Sequence, residues 1–146
     1  MTDQPTVLIL AGKRDGTLAL LAKRAGVSHK CRVLINGKPL LEWVVEAVGP
    51  AFPDAKVLIS IHDPEVIADL PSVVALQAAG RLTLCAAQAG IVESVEHAIE
   101  QAGGDSAFPL LITTADNVLA ESDYLRDVHQ AALAGDGDAV VVLSTR

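Results

Sequence analysis

The chain has 146 residues, of which 51% are hydrophobic and only 3% aromatic. This length fits one domain spanning residues 1–146, with a core built from aliphatic side chains. The net charge of −7 argues against nucleic acid as the main partner, because duplex binding requires a basic face.

The N-terminal region contains no basic segment followed by an apolar one, which a secretory signal peptide requires. No apolar run approaches the roughly 20 residues of a membrane-spanning helix. We therefore expect a cytoplasmic protein that does not bind a membrane. The two cysteines, Cys31 and Cys85, lie in no metal-ligand spacing, and we expect both to be buried thiols.

Short apolar runs rich in β-branched residues predict five β-strands that are covered on both faces. These runs are residues 6–11, 56–61, 82–86, 110–113 and 139–143. Helical patterns lie between them: an extra turn within 17–24, helices over 39–48, 64–70 and 91–102, and a last helix capped by Ser122 and ended by Gly135.

This alternation predicts a three-layer α/β/α sandwich on a mostly parallel sheet with right-handed crossovers. The chain ends just after the fifth predicted strand without a closing helix, so we expect part of a longer architecture to be missing. In such folds, ligands bind beyond the carboxyl ends of the strands. Gly12 and Asp116 both follow predicted strands, and we expect them at the same edge of the sheet.

The first strand leads into a loop of small residues that is followed by two cations. The loop consists of Leu10, Ala11, Gly12, Lys13 and Arg14. Small residues let backbone N–H groups approach a phosphate, and cations neutralise its charge. The loop is neither a Gly-x-Gly-x-x-Gly fingerprint nor a phosphate-binding P-loop, which argues against a dehydrogenase or a P-loop ATPase. Taken alone, the loop fits an ordinary strand-to-helix turn better than a ligand site.

A second motif follows the loop. Lys30 precedes the segment Ile-Asn-Gly-Lys-Pro-Leu-Leu at residues 35–41, which opens a predicted helix. Together with the Leu-Ala-Gly loop, this order resembles the nucleotidyltransferases of the glycosyltransferase-A-like fold. That superfamily includes the molybdenum-cofactor guanylyltransferases and the sugar- and polyol-phosphate cytidylyltransferases, and the resemblance implies the fold of the nucleotide-diphospho-sugar transferases.

The resemblance implies roles for the residues of both motifs. Arg14 and Lys30 would bind the phosphates of a nucleoside triphosphate and stabilise the charge that develops on the leaving pyrophosphate. Arg24 is the alternative to Arg14. The residues of the first loop up to Lys13 would line the base and phosphate pocket.

Two further segments fit the same resemblance. Asp116 follows the fourth predicted strand, where this family holds a Mg²⁺ ion. One carboxylate suffices to start such a site, because Mg²⁺ also takes phosphate oxygens and water. An aspartate that only hydrogen-bonds the following turn is the alternative. Gly90 and Ser94 open the 91–102 helix, and the resemblance implies that Ser94 reaches the nucleotide.

The implied reaction transfers a nucleotidyl group from a nucleoside triphosphate to a phosphorylated acceptor and releases pyrophosphate. The acceptor phosphate is the nucleophile, so no protein nucleophile is needed. One alternative is a non-catalytic nucleotide-binding α/β module, and another is a response-regulator-like or flavodoxin-like interaction domain. A third is that a partner or a second copy covers the open sheet edge; in the case of a second copy the protein would be a homo-oligomer. His29 is interpreted as a surface residue, and His62, His97 and His129 as structural or solvent-exposed.

Overall fold

The computed structural model of the protein describes residues 4–12 and 20–142. Its strands are β1 Thr6–Leu10, β2 Leu34–Ile35, β3 Lys38–Pro39, β4 Val57–Ile61, β5 Leu82–Ala86 and β6 Leu110–Thr114. Its α-helices are α1 Leu20–Ala25, α2 Leu40–Ala51, α3 Pro71–Ala78, α4 Ile91–Gln101 and α5 Ser122–Ala134. Short 3₁₀ turns occupy Lys30–Arg32, Pro64–Val66 and Gly104–Ala107.

Four strands form one sheet in the order β5-β4-β1-β6, and every neighbouring pair is parallel. Leu10 at the end of β1 pairs with Ser60 on β4 and with Thr114 on β6. All five residues of β4 are buried, as expected for an inner strand covered on both faces. The predicted parallel sheet is confirmed.

Helices cover both faces of this sheet. On one face α2, α3 and α5 pack over a core that includes Ile9, Val45 and Ile59. On the other face α4 packs over a smaller cluster that includes Leu8 and Leu58. The predicted three-layer α/β/α arrangement is therefore confirmed.

Helix α2 shows how the sequence builds one of these layers. Leu41, Val44, Val45 and Val48 recur at helical spacing, and all are buried against the sheet. The helix begins one residue later than predicted and continues to Ala51, through Pro50 in its last turn. Its end is longer than predicted because the buried stripe continues past Val48.

A tight hairpin of β2 and β3 precedes α2. Its turn residues Asn36 and Gly37 have φ values of 51° and 77°, and an Asn-Gly pair with two positive φ values is typical of a type I′ turn. Lys38 in this hairpin pairs with Glu46 and lies 4.2 Å above the centre of the Trp43 ring. Its charge is therefore directed to the surface of α2.

Several predicted elements are corrected. The predicted strand over 139–143 is wrong for its described part: residues 139–142 form no regular element, and the side chains of Val140–Val142 remain exposed. A β-branched run becomes a strand only where a neighbouring strand offers hydrogen bonds, and no pairing with this segment occurs within the described chain. The helix predicted over 64–70 is a 3₁₀ turn, while α3, which was not predicted, begins at Pro71.

The remaining helix predictions differ in detail. The sequence predicts a helical turn within residues 17–24. Residues 20–24 lie in α1, which continues to Ala25, and residues 17–19 lie outside the described ranges. Ser122 is the first residue of α5 rather than its cap, and its hydroxyl donates to the Ala47 carbonyl at 2.7 Å, which ties α5 to α2. Across the described ranges, we find no helix with the length and apolar character needed to cross a bilayer.

Candidate functional site

A cavity of about 480 Å³ opens at the carboxyl edge of the sheet. Residues at or just beyond the ends of β1, β4, β5 and β6 line it, together with the turn that carries Lys30. Gly12 and Asp116 both belong to its wall, so they lie at the same sheet edge, as expected. The topology therefore brings four chemically different segments to one place.

The end of β1 forms one wall. Ala11 donates its N–H to the Ser60 carbonyl at 2.8 Å, which extends the ladder one residue beyond the strand. A Cβ added to Gly12 would lie 3.2 Å from the Ala87 Cβ and 3.4 Å from the His62 Cε1. A side chain at position 12 would therefore crowd Ala87 and His62. Glycine lets the loop after β1 pack closely against the segments that follow β4 and β5.

The basic residues of the first half are distributed unevenly. Lys13 and Arg14, for which the sequence predicts nucleotide contacts, lie outside the described residues. Arg24 is exposed on α1 and does not line the cavity. Of the cations in ranges 4–12 and 20–142, Lys30 is the one in the cavity wall.

Lys30 and Asp116 form an ion pair in the cavity. Thr114 donates its hydroxyl to the other carboxylate oxygen of Asp116 at 2.7 Å. Partial burial raises the pKa of Asp116, but hydrogen bonds from Lys30 and Thr114 and the charge of Lys30 outweigh it, so that pKa lies below its ordinary value. The carboxylate is therefore kept ionised, and it is held against a cation 86 residues away in sequence.

Asp116→Asn is expected to lower the stability of the protein near pH 7 by less than about 1 kcal/mol, since the pair is partly exposed. A carboxylate with a lowered folded-state pKa stabilises the fold above its unfolded-state pKa, and this contribution is lost as the pH falls through the folded-state value. The difference in melting temperature between wild type and variant should therefore shrink from about pH 7 towards about pH 3. Thermal unfolding across this range, with the exposed Asp136→Asn as control, measures it; a difference that widens on acidification contradicts the assignment.

The turn that carries Lys30 is fixed on both sides. His29 is buried, and its Nε2 donates to Asp63 at 3.1 Å, because an ionised carboxylate only accepts. Arg32 donates to Asp69 at 2.8 Å and to the Val66 carbonyl at 2.9 Å. The interpretation of His29 as a surface residue is therefore wrong: the ring lies beneath the turn and fastens it to the segment after β4.

Of the other three histidines, the structure places one in the site. His62 follows β4 and lines the cavity beside Gly12. His129 is buried and meets the Phe52 ring edge-on, with 5.5 Å between ring centres, which agrees with a structural role. His97 is half-buried on α4.

The loop between β5 and α4 forms another part of the wall. Ser94 accepts a hydrogen bond from the Gln88 N–H and donates to the Gly90 carbonyl, both at 2.8 Å. The hydroxyl therefore holds the loop in shape, and its residue is only 6% exposed. Gly90 and Ser94 both line the cavity, as does Gln88, while the predicted contact of Ser94 with a nucleotide stays a prediction.

Sequence reasoning missed several residues of the cavity wall. Ser60 lies on β4 and His62 directly follows that strand, while Thr114 ends β6 two residues before Asp116; all four line the cavity. Alternation at the carboxyl end of every strand, applied to β4 as it was to β1, would have identified Ser60 and His62. Cys31, beside Lys30 in the same turn, is a buried thiol that also lines the cavity, and no such pattern identifies it.

Comparisons with known proteins agree with this architecture. A hypothetical transferase from Thermus thermophilus is 23% identical over 91% of this chain, with a TM-score of 0.61, and 48% of that structure is covered. CMP:2-keto-3-deoxy-manno-octonic acid synthetase complexed with CTP is 17% identical over 89% of the chain, also with a TM-score of 0.61, and 47% of it is covered. The chain thus spans about half the length of both structures.

These two similarities establish the fold, and comparison with curated proteins gives no significant match. The sequence match is more specific. The MobA-like NTP transferase domain matches residues 7–146, which include the first loop, Lys30 and Asp116. The chain therefore belongs to the MobA-like NTP transferase domain family and carries a nucleotidyltransferase-like domain.

Proposed function

We propose that the cavity binds a nucleoside triphosphate with Mg²⁺, and that the protein transfers the nucleotidyl group to a phosphorylated small-molecule acceptor with release of pyrophosphate. The observation that carries this proposal is the meeting of Lys30 and Asp116 in a cavity at the carboxyl edge of the sheet. These two residues offer opposite charges to a ligand that itself carries both, a metal–triphosphate complex.

The distribution of charge along the cavity supports this orientation. Asp116 follows β6 and pairs with Lys30, whereas the lining residues from β4, β5 and the segments after them include no Asp, Glu, Lys or Arg side chain. The triphosphate would lie beside Lys30 and Asp116, and the nucleoside at the side of β4 and β5.

The residues at the charged side suit Mg²⁺. Asp116 presents a carboxylate and Thr114 a hydroxyl, which are the hard oxygen donors that this ion prefers. The described residues include no cluster of three or more His, Cys, Asp or Glu side chains that could hold a metal, so the remaining ligands would come from the substrate and water. When bound, the ion would neutralise negative charge on the phosphates.

Residues of this chain would bind the triphosphate and stabilise the charge that develops on it. Lys30, released from Asp116, would bind phosphate oxygens and stabilise the charge that grows on the departing pyrophosphate. Gly12 would let the triphosphate approach the backbone after β1. We propose Arg14 as the second phosphate-binding cation, with Lys13 beside it; the position of Arg24 on the surface of α1 favours Arg14 over Arg24.

A non-catalytic nucleotide-binding module is the second candidate. The observation in its favour is that Asp116 is the one carboxylate that the described residues contribute to the cavity wall. The same cavity would then bind a nucleotide without turning it over. Pyrophosphate release separates the two candidates, because binding alone produces none.

The test combines binding and turnover. Calorimetric titration of the protein with ATP, CTP, GTP and UTP, each with MgCl₂, should show binding of at least one nucleotide. Incubation of that nucleotide with a panel of sugar and polyol phosphates should release pyrophosphate, and chelation of Mg²⁺ should stop the release. Binding without release supports the second candidate, and no binding of any of the four nucleotides contradicts both.

A further inference from the structure

The place of Lys30 in the cavity depends on a short 3₁₀ turn, Lys30–Arg32 (the Lys30 turn). A turn of three residues contains few hydrogen bonds of its own, and a lysine side chain is long and has many rotamers. The position of the Lys30 ammonium group therefore depends on what holds the turn. His29 precedes the turn and Arg32 ends it, and both side chains bond to the segment of residues 63–69 after β4.

His29 is the buried part of this support. Its Nε2 donates to Asp63 at 3.1 Å, and its Nδ1 lies 2.8 Å from the Ser28 hydroxyl, so both ring nitrogens have partners. Asp63 directly follows His62, which lines the cavity. The hydrogen bond therefore joins the residue before Lys30 to the place where the chain leaves β4.

We propose that His29 and Asp63 form a positioning pair, whose hydrogen bond holds Lys30 beside Asp116 and thereby sets the affinity of the cavity for a triphosphate. This inference rests on the proposed function. His29 and Asp63 do not line the cavity, whereas Lys30 and Asp116 do. The pair therefore acts through Lys30 and not by contact with a ligand.

The charge of Asp63 makes this inference testable. Loss of a carboxylate near the site would by itself favour the binding of a triphosphate, because it removes a negative charge. Loss of the hydrogen bond to His29 would instead release the Lys30 turn and weaken the binding. The two effects have opposite signs, so the direction of the change in affinity shows which of them dominates.

Asp63→Ala, Asp63→Asn and Glu65→Ala form the matched test. Titration with ATP, CTP, GTP and UTP in MgCl₂ should show that Asp63→Ala weakens binding of the preferred nucleotide about fivefold, the equivalent of one hydrogen bond. Asp63→Asn keeps an oxygen that can accept from His29 and should retain most of the affinity. Glu65 is exposed in the 3₁₀ turn that follows Asp63, so Glu65→Ala removes the same charge and should not weaken binding.

Two further measurements separate positioning from a general structural role. In a Lys30→Ala background, Asp63→Ala should not weaken binding further, because its effect requires Lys30. Acetylation of the protein without nucleotide, followed by peptide mass spectrometry, measures how accessible the Lys30 amine is. The ion pair with Asp116 protects this amine, so Asp63→Ala should raise the rate at Lys30 about two- to fivefold, with the rate at the exposed Lys56 as internal reference.

The outcomes separate this inference from the function on which it rests. Unchanged or tighter nucleotide binding by Asp63→Ala overturns the inference and leaves the proposed function standing. An equal loss of affinity in the Lys30→Ala background assigns Asp63 a general structural role and also overturns it, as does a loss by Asp63→Asn as large as that by Asp63→Ala. If the wild-type protein binds none of the four nucleotides, the proposed function fails and the inference about affinity fails with it, while the acetylation rates still decide whether the pair holds Lys30.

Discussion

Replacement of Lys30 by alanine is expected to weaken the binding of a nucleoside triphosphate by roughly ten- to a hundredfold. A hydrogen bond to a charged group contributes about 1.5–3 kcal/mol, and Lys30 is the cation that the described structure places in the cavity. The variant also leaves Asp116 without its ion-pair partner, so an uncompensated negative charge would face the triphosphate. Calorimetric titration in MgCl₂ measures both effects together.

Lys56→Ala is the matched control. Lys56 is exposed and directly precedes β4, so it lies at the amino edge of the sheet, opposite the cavity. Its loss removes the same net charge without touching the proposed site, and the affinity should stay close to that of the wild type. Equal affinities of the two variants would mean that the triphosphate does not bind at Lys30.

Ile59→Ala is expected to destabilise the protein by about 2–5 kcal/mol, because it leaves a cavity in the centre of the sheet. Ile59 is fully buried on β4, and its neighbours in register are Ile9 and Leu84. The melting temperature should fall by roughly 5–15 °C, since about 1 kcal/mol shifts it by a few degrees in a domain of this size. Thermal and denaturant unfolding measure the change.

Ile112→Ala is the control for this substitution. It removes the same atoms from another parallel strand of the sheet, but Ile112 lies on the edge strand β6 and is 47% exposed. We expect less than half of the loss seen for Ile59→Ala, because little buried contact is removed. A comparable loss at both positions would place the hydrophobic core elsewhere than between β4 and α2.

Much of the fold could be predicted because inner parallel strands have a distinctive composition. The strands β1 and β4 are covered on both faces, and such strands appear in the sequence as nearly continuous apolar runs. They can therefore be recognised as strands from the local sequence, without knowing which strands they pair with. The same reasoning failed at residues 139–142, where an apolar run has no neighbouring strand in the described chain. Composition predicts the tendency to form a strand, but pairing decides whether the strand forms.

The site was predictable to the extent that position along a strand determines position in the sheet. Gly12 and Asp116 follow strand ends, and parallel pairing places them at one edge. The contact of Lys30 with Asp116 depends on how a turn 86 residues earlier in the sequence is held by His29 and Arg32. No local pattern encodes that arrangement, and a histidine beside a lysine resembles any exposed polar pair.

The central position of β1 in the sheet affects how the protein is made. The ribosome completes β1 first, yet its two neighbours are β4 and β6, and Thr6 pairs with Leu110, 104 residues later. At about 5–20 residues per second, translation leaves this apolar strand without its second neighbour for roughly 5–20 s. Folding through such distant contacts is also slow, because loop closure comes before the pairing that stabilises it. The growing chain therefore carries an aggregation-prone strand, Thr6–Leu10, until β6 has been made, and its yield should depend on chaperones and on translation rate.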